Sequence, residues 1–346
     1  MSFRTSRRSV LGLAIAALSS PLPKLAGAQE ATPTPPASSL GWGDSFDTGN
    51  GLLNVVTTVA PISSIARNIG GTRFNLAGVV PDGTNSHTFE PAPSDAVILS
   101  KADVIFVNGL QLEQPTMDLA EANLKDGAEI DSLGDKTISP DKYVYDFSFP
   151  KDEGKPNPHL WMNPVFASNY AAIISAKLSE RDTANAAYYA ANLALYQDLL
   201  NRLDQGIMTA TATIPEQNRK LLTYHDSYAY FAPRYGLTVI GAAQPSDFSE
   251  PSAKDVAQLI DQIKKEHVPA VFGSEVFPST VLEQIAKEAG AQYIDQLRDD
   301  DPPGKPGDPE HTYVGMMLKN MQLMIPALGG TADALAGIEP WDTYQP

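Results

Sequence analysis

The sequence predicts an α/β protein built as two parallel-sheet lobes joined by a single long α-helix. Short apolar, β-branched segments alternate with helical ones between residues 52 and 109 and again between 220 and 297. That rhythm marks strands joined by helical crossovers. One such segment, "ADVIFVNG", is apolar throughout its middle, as expected for a strand covered on both faces. Between the two alternating regions lie residues 183–211, rich in Ala and Leu, free of Pro, with apolar side chains at helical spacing. At about 1.5 Å per residue this is a rod of roughly 43 Å.

The elements follow in chain order. "LLNVVTTVAPISSIARNIGG" opens with a strand over 53–59 and continues as a helix ended by Gly70 and Gly71. "FNLAGVV" is a second strand, closed by "PDGTNS". "PSDAVILSKA" is a helix with Pro93 and Ser94 at its start, and "ADVIFVNG" is the third strand. From 132 to 158 the pattern is lost in a polar connection, and a helix resumes near Pro164. After the long helix, "KLLTYH" reads as a strand, "DSYAYFAPRYG" as a helix and "LTVIGAA" as a strand. "SAKDVAQLIDQIKKEH" is a helix capped by Ser252 with Asp255 in its first turn. Strand "VPAVFGSE", helix "STVLEQIAKEAG" and strand "AQYIDQL" complete the second lobe, and a last helix starts near Thr312. The expected domains are 51–181, the linking helix 182–213, and 214–346.

Residues 1–28 carry Arg4, Arg7, Arg8 and Lys24, no acid, a short apolar run and a small-x-small stretch at Ala26-Gly27-Ala28. This is an export signal. "SRRSVL" resembles the twin-arginine motif, with an ordinary secretory signal as the alternative. Residues 29–50, rich in Pro, Thr, Ser and Gly, read as a disordered spacer. The expected product is soluble and periplasmic or otherwise extracytoplasmic.

Composition narrows the chemistry. The chain of 346 residues is 42% hydrophobic and 19% charged, enough for packed cores. Without the four basic residues of the first 28, it holds 21 Lys and Arg against 41 Asp and Glu, a net −20. Such a surface repels nucleic acid and anionic lipid. There is no cysteine, which excludes disulfides, thiolate metal sites and Cys nucleophiles. A metal site here must use His and carboxylate.

Three of the five histidines occupy equivalent places. His87 follows the second strand and its turn, His159 lies in "NPHLWMNP" before a helix, and His225 ends a strand in "LLTYHDSY". Ligands of open parallel sheets bind outside the carboxyl ends of the strands, so an interlobe cleft would gather all three. The end of "AQYIDQL" supplies a carboxylate from Asp299, Asp300 or Asp301. Three imidazoles and one carboxylate suit Zn²⁺, with Mn²⁺ feasible. Glu90 and Glu275 are candidates to support the ligands or to bind in their place, Glu275 by a hydrogen bond to a ligating histidine. Trp161 and Phe89 are expected to form an apolar collar. His267 ends a helix, and His311 is a distant candidate neighbour of the metal.

The chain resembles the zinc- and manganese-binding periplasmic solute-binding proteins of ABC transporters. The resemblance rests on "TTVAPISSIARNIGG", "HTFEPAPSD", "ADVIFVNGLQLE", "NPHLWMNP", "TYHDSYAYFAPRYGL", "PSAKDVAQLIDQIKKEHVPAVFGSE" and "TYVGMMLKNM", in that order over roughly 52–330. It implies two lobes on one long helix. It implies as metal ligands His87, His159, His225 and Asp300, with Asp299 the alternative one residue away. It implies delivery of Zn²⁺ to a membrane permease and no enzymatic activity. His at the third position favours zinc, since manganese-type relatives tend to carry Glu there. Asn157 stands where many relatives have Asp, and the His-rich acidic loop of some zinc members is absent. A monomer is expected, and loading by a metallochaperone is left open. The competing readings are a manganese-binding member of the same class, a zinc-dependent hydrolase, for which there is no HExxH helix, and a surface adhesin acting in cell adhesion.

Overall fold

The computed structural model describes residues 49–246, 248–276 and 279–344. The export signal and the spacer as far as residue 48 lie outside the described residues. The first sheet holds β1 (Leu53–Thr57), β2 (Phe74–Gly78), β3 (Val104–Val107) and β4 (Glu129–Ser132) in the order β2-β1-β3-β4, all parallel. The second holds β5 (Lys220–Thr223), β6 (Thr238–Ala242), β7 (Ala270–Ser274) and β8 (Gln292–Leu297) in the order β6-β5-β7-β8, again all parallel. The two sheets thus share one topology.

Helices cover both faces of each sheet. In the first lobe these are α1 (Ala60–Gly70), α2 (Pro93–Leu99), α3 (Gln114–Asn123), α4 (Leu133–Thr137) and α5 (Pro164–Arg181). The long α6 spans Ala186–Ala212, 27 residues, after a 3₁₀ turn at Thr183–Asn185. The second lobe adds α7 (Ala253–Glu266), α8 (Thr280–Ala289) and α9 (Tyr313–Ala327). Ser252 and Asp255 form a reciprocal capping box at the start of α7, as their spacing predicts.

One apolar core runs through the middle of the molecule. Ile62, Ile65 and Ile69 of α1, Tyr196, Leu199 and Leu203 of α6, and Met317, Met321 and Met324 of α9 belong to the same buried cluster, with Val55 and Phe106 of one sheet and Leu221 and Phe272 of the other. Smaller clusters lie on the outer face of each sheet, under α2 and α3 in one lobe and under α7 and α8 in the other. The long helix is packed into this core rather than bridging open solvent. Gly206 lies where the closing segment packs on α6: a Cβ at that position would press on Leu335 at 2.8 Å and on the Ala334 carbonyl at 3.2 Å.

Two readings change. The stretch 226–236, expected to be helical, is a series of turns followed by a 3₁₀ helix at Ala232–Tyr235. The Asp226 carboxylate accepts the Tyr228 N–H, a local bond that competes with helix hydrogen bonding, and Pro233 removes a further donor. Elements α3 and β4 carry no readable periodicity. Of the ten residues of α3 only Thr116 and Ala120 are buried, and β4 is the polar edge strand "EIDS".

Candidate metal centre

Each of the three histidines is held by its own backbone surroundings. In the first lobe, Asn85 Oδ1 accepts the His87 N–H at 2.9 Å and fixes the turn after β2. His159 is wholly buried. Its neighbour Asn157 accepts both the His159 N–H and Nδ1–H, at 3.0 and 2.9 Å, through Oδ1. The amide group of Asn157 is itself anchored, its Nδ2 donating to Asp146 Oδ2 at 2.8 Å and to the Asp226 carbonyl. A hydrogen bond to Nδ1 sets the tautomer and leaves the Nε2 lone pair free to bind. The Thr223 hydroxyl donates to the His225 carbonyl at 2.8 Å where β5 ends.

The three rings converge on one point. His87 Nε2 lies 3.1 Å from His159 Nε2, which lies 3.2 Å from His225 Nε2. Three nitrogens with lone pairs have no reason to crowd so closely except around a proton or a cation. A tetrahedral ion with bonds of about 2.0–2.1 Å separates its donors by about 3.3 Å, close to the spacing found.

The carboxylate that joins them is that of Asp299. Its Oδ2 is 2.8 Å from His225 Nε2 and 3.9 Å from His159 Nε2. Asp300, which the resemblance favoured, is turned away and accepts the Ser86 N–H and hydroxyl. Asp301 accepts the Gly83 N–H. Long-range contacts choose among the three: Trp161 Nε1 donates to the Asp299 carbonyl at 2.8 Å, and Glu275 Oε1 accepts the N–H groups of Asp299 and Asp301 at 3.1 and 3.2 Å. Glu275 therefore holds the backbone of the aspartate turn, not a histidine as expected. Glu90 is exposed in the loop before α2.

The collar also differs from expectation. Trp161 packs edge-on against His159, with centroids 5.1 Å apart. Phe89 packs into the first-lobe core. The rings that pack on His87 are Phe149, at 5.4 Å and tilted, and Phe248, at 4.8 Å and stacked, and these two also touch each other edge-on. Both lie in connections without periodicity, where an isolated Phe carries no signal. Of the two histidines outside the cluster, His311 faces Asp82 at 3.6 Å and the Pro303 carbonyl at 3.3 Å. His267 caps α7 with φ 53°.

Electrostatics divide the site. Burial, then the neighbouring imidazoles, push His87 and His159 well below the ordinary histidine pKa. Burial would lower His225 too, but the Asp299 carboxylate outweighs it and raises the imidazole. The two first-lobe imidazoles are thus held neutral, and His225, beside the Asp299 carboxylate, is the one that holds a proton best. A divalent cation bound there takes the place of that proton.

Two parallel-sheet lobes on one long helix, with three imidazoles converging and a carboxylate beside two of them, define a two-lobed metal-binding protein. The family profile of ZnuA, the periplasmic zinc-uptake complex component A, matches residues 55–327, and the chain belongs to that family. The family is a solute-binding transport component, not an enzyme. The chain is 28% identical over 276 residues to the manganese-binding lipoprotein MntA of Halalkalibacterium halodurans, covering 80% of this chain and 88% of that one. It is similar in structure to the periplasmic zinc-binding protein TroA of Treponema pallidum, with a TM-score of 0.73, 26% identity, and coverage of 80% and 99%. The Mn-bound periplasmic metal-binding protein of Candidatus Liberibacter asiaticus gives a TM-score of 0.70 at 25% identity over 79% and 98%.

Proposed function

We propose that this chain captures Zn²⁺ outside the cytoplasm through His87, His159, His225 and Asp299 and delivers it to the membrane permease of an ABC transporter. The observation that carries the reading is the convergence of three imidazole Nε2 atoms, two pairs of them 3.1 and 3.2 Å apart, beside one carboxylate. A nitrogen-rich, four-donor set suits zinc, whereas manganese favours more oxygen donors and a higher coordination number. A transport site closed by protein donors also leaves no position for a catalytic water. Among the described residues no helix is long and apolar enough to cross a membrane, which accords with a receptor that meets its permease as a separate partner.

Manganese is the second reading, favoured by relatives such as MntA, named for manganese binding. Raw affinity favours zinc over manganese at almost any such site, so the metal content of protein recovered from cells supplied with both metals decides between them. Zinc should be the metal found; protein loaded with manganese would make manganese the cargo.

A further inference from the structure

Beside the Asp299 carboxylate lies a small cavity. Its volume is about 10 Å³, and Tyr228, Arg298, Asp299, Thr223, Ser227 and Ser274 are among the residues that line it. One water needs roughly 10–15 Å³ and two to four polar partners. This cavity offers them. The Tyr228 hydroxyl, Arg298 Nε and Asp299 Oδ1 are all buried, and none has a hydrogen-bond partner in the protein. A buried polar atom without a partner destabilises the fold, and three around one water-sized space point to a shared partner. Two are donors and one is an acceptor. The phenol keeps its proton: burial first and the Asp299 carboxylate second push Tyr228 well above the ordinary tyrosine pKa.

We propose that Tyr228 is a specificity-determining residue: together with Arg298 it holds a water against Asp299 Oδ1, so that Asp299 offers the metal only Oδ2. The inference rests on the reading of His87, His159, His225 and Asp299 as the metal centre. Its consequence lies in coordination number. With Oδ1 occupied, the carboxylate binds through one oxygen and the centre stays at four donors, the number zinc accepts readily. With Oδ1 released, the carboxylate turns and binds through both oxygens. The centre then has five donors and moves towards the oxygen-rich, higher-coordinate geometry that manganese prefers. Tyr228 acts through Asp299 and touches no metal itself.

The test is Tyr228→Phe, which removes one hydroxyl from a fully buried ring and leaves its packing in place. Zn²⁺ and Mn²⁺ affinities are measured for both proteins, and Co²⁺ is bound as a spectroscopic probe. The Zn²⁺ to Mn²⁺ affinity ratio should fall about tenfold in the variant, the scale of effect expected for a residue supporting a ligand. The intense visible absorption of four-coordinate Co²⁺ should weaken towards the five-coordinate form. An unchanged ratio with an unchanged Co²⁺ spectrum would overturn the role of Tyr228 while leaving the metal centre intact. Wild-type protein that takes up neither Zn²⁺ nor Co²⁺ would overturn the metal centre itself. A crystal structure of the zinc-loaded wild type supplies a readout that does not depend on the variant folding. It should show a water between Tyr228 and Asp299 Oδ1 and a single Asp299 oxygen on the metal; both oxygens on the metal would end the proposal.

Discussion

The two lobes share one strand order yet do different work at the site. The first lobe supplies His87 and His159, both neutral, along with the ring of Phe149. Its sheet runs in unbroken register. The second lobe supplies His225 and Asp299, an imidazole held beside a carboxylate that raises its pKa. Its sheet shifts register between Leu221 and Leu222 and again between Phe272 and Ser274, just before the segments that carry His225 and Glu275. Irregularities of this kind re-aim side chains beside functional sites. The comparison teaches that a duplicated scaffold need not give duplicated chemistry. One lobe is a preset nitrogen platform, and the other is an electrostatic partner whose proton gives way to the metal.

The sharpest break of that contrast is His159→Ala. Its Nε2 is within 3.2 Å of both other imidazole nitrogens, so its loss dissolves the platform. Zinc affinity should fall at least about 100-fold, the upper end of what losing even a supporting partner costs. His87→Ala and His225→Ala should each cost at least about tenfold. Calorimetric titration checks all three, and unchanged affinity in any of them removes that residue from the site.

Next comes the aspartate turn. Asp299→Ala should lower zinc affinity about tenfold or more, and Asp300→Ala clearly less, because Asp300 is engaged by Ser86. The reverse order would return the ligand role to the residue that the family resemblance favoured.

This pair of variants also marks the limit of what the sequence could disclose. Histidines are scarce in the chain; His87 and His225 follow strands, and His159, which follows α4 and two 3₁₀ turns instead, stands just before α5, so the meeting of the first two was legible from position and that of the third from its place before a helix. Three consecutive aspartates are chemically identical in sequence. Which one faces inward depends on Trp161, Glu275 and Ser86, all far away in the chain. The same holds for Phe149 and Phe248, which reach His87 from connections without pattern. The strands and long helices were readable because burial imposes a period on them. Elements α3 and β4 were not, since little of either is buried.

Proton release gives a subtler test of the division between the lobes. His225 is raised above its ordinary pKa by Asp299, whereas His87 and His159 are depressed. Protons released when zinc binds near neutral pH should therefore come from His225, and none from the first lobe. Calorimetry in buffers of different ionisation enthalpy reads this directly. Asp299→Asn should reduce the release, and a value of two or more would mean that the first-lobe imidazoles are not preset. The sign for metal-free stability follows from a raised folded-state pKa. The ion pair contributes fully below about pH 6.5, and its contribution is lost as pH rises through the folded value. Acid, in turn, should drive metal out as the proton returns to His225, with affinity falling by no more than about tenfold per pH unit, because the first-lobe imidazoles stay neutral well below the ordinary histidine range.

The smallest expected effect concerns motion between the lobes. If the halves differ in chemistry, it is natural to ask whether they also move apart. Bending α6 would break its hydrogen-bond ladder unless a proline, bulge or similar defect intervened, and residues 186–212 contain no proline. The helix is moreover embedded in a single core shared with α1, α9 and both sheets. Opening the lobes would expose that core, at a cost of about 25 cal/mol for every Å² uncovered. A metal ion contacting four side chains has no need of such a movement. Local adjustment is cheaper, in the turn around Asp299 and in the segment of Phe248, whose φ of 59° is unusual for a non-glycine residue. Scattering curves of the metal-free and zinc-loaded protein should nearly superimpose, with a change in radius of gyration below about 1 Å out of roughly 20 Å. Hydrogen exchange should slow around His159 and the aspartate turn on loading. A larger change in radius would show the lobes to be hinged bodies, and the platform and its partner would then meet only when metal arrives.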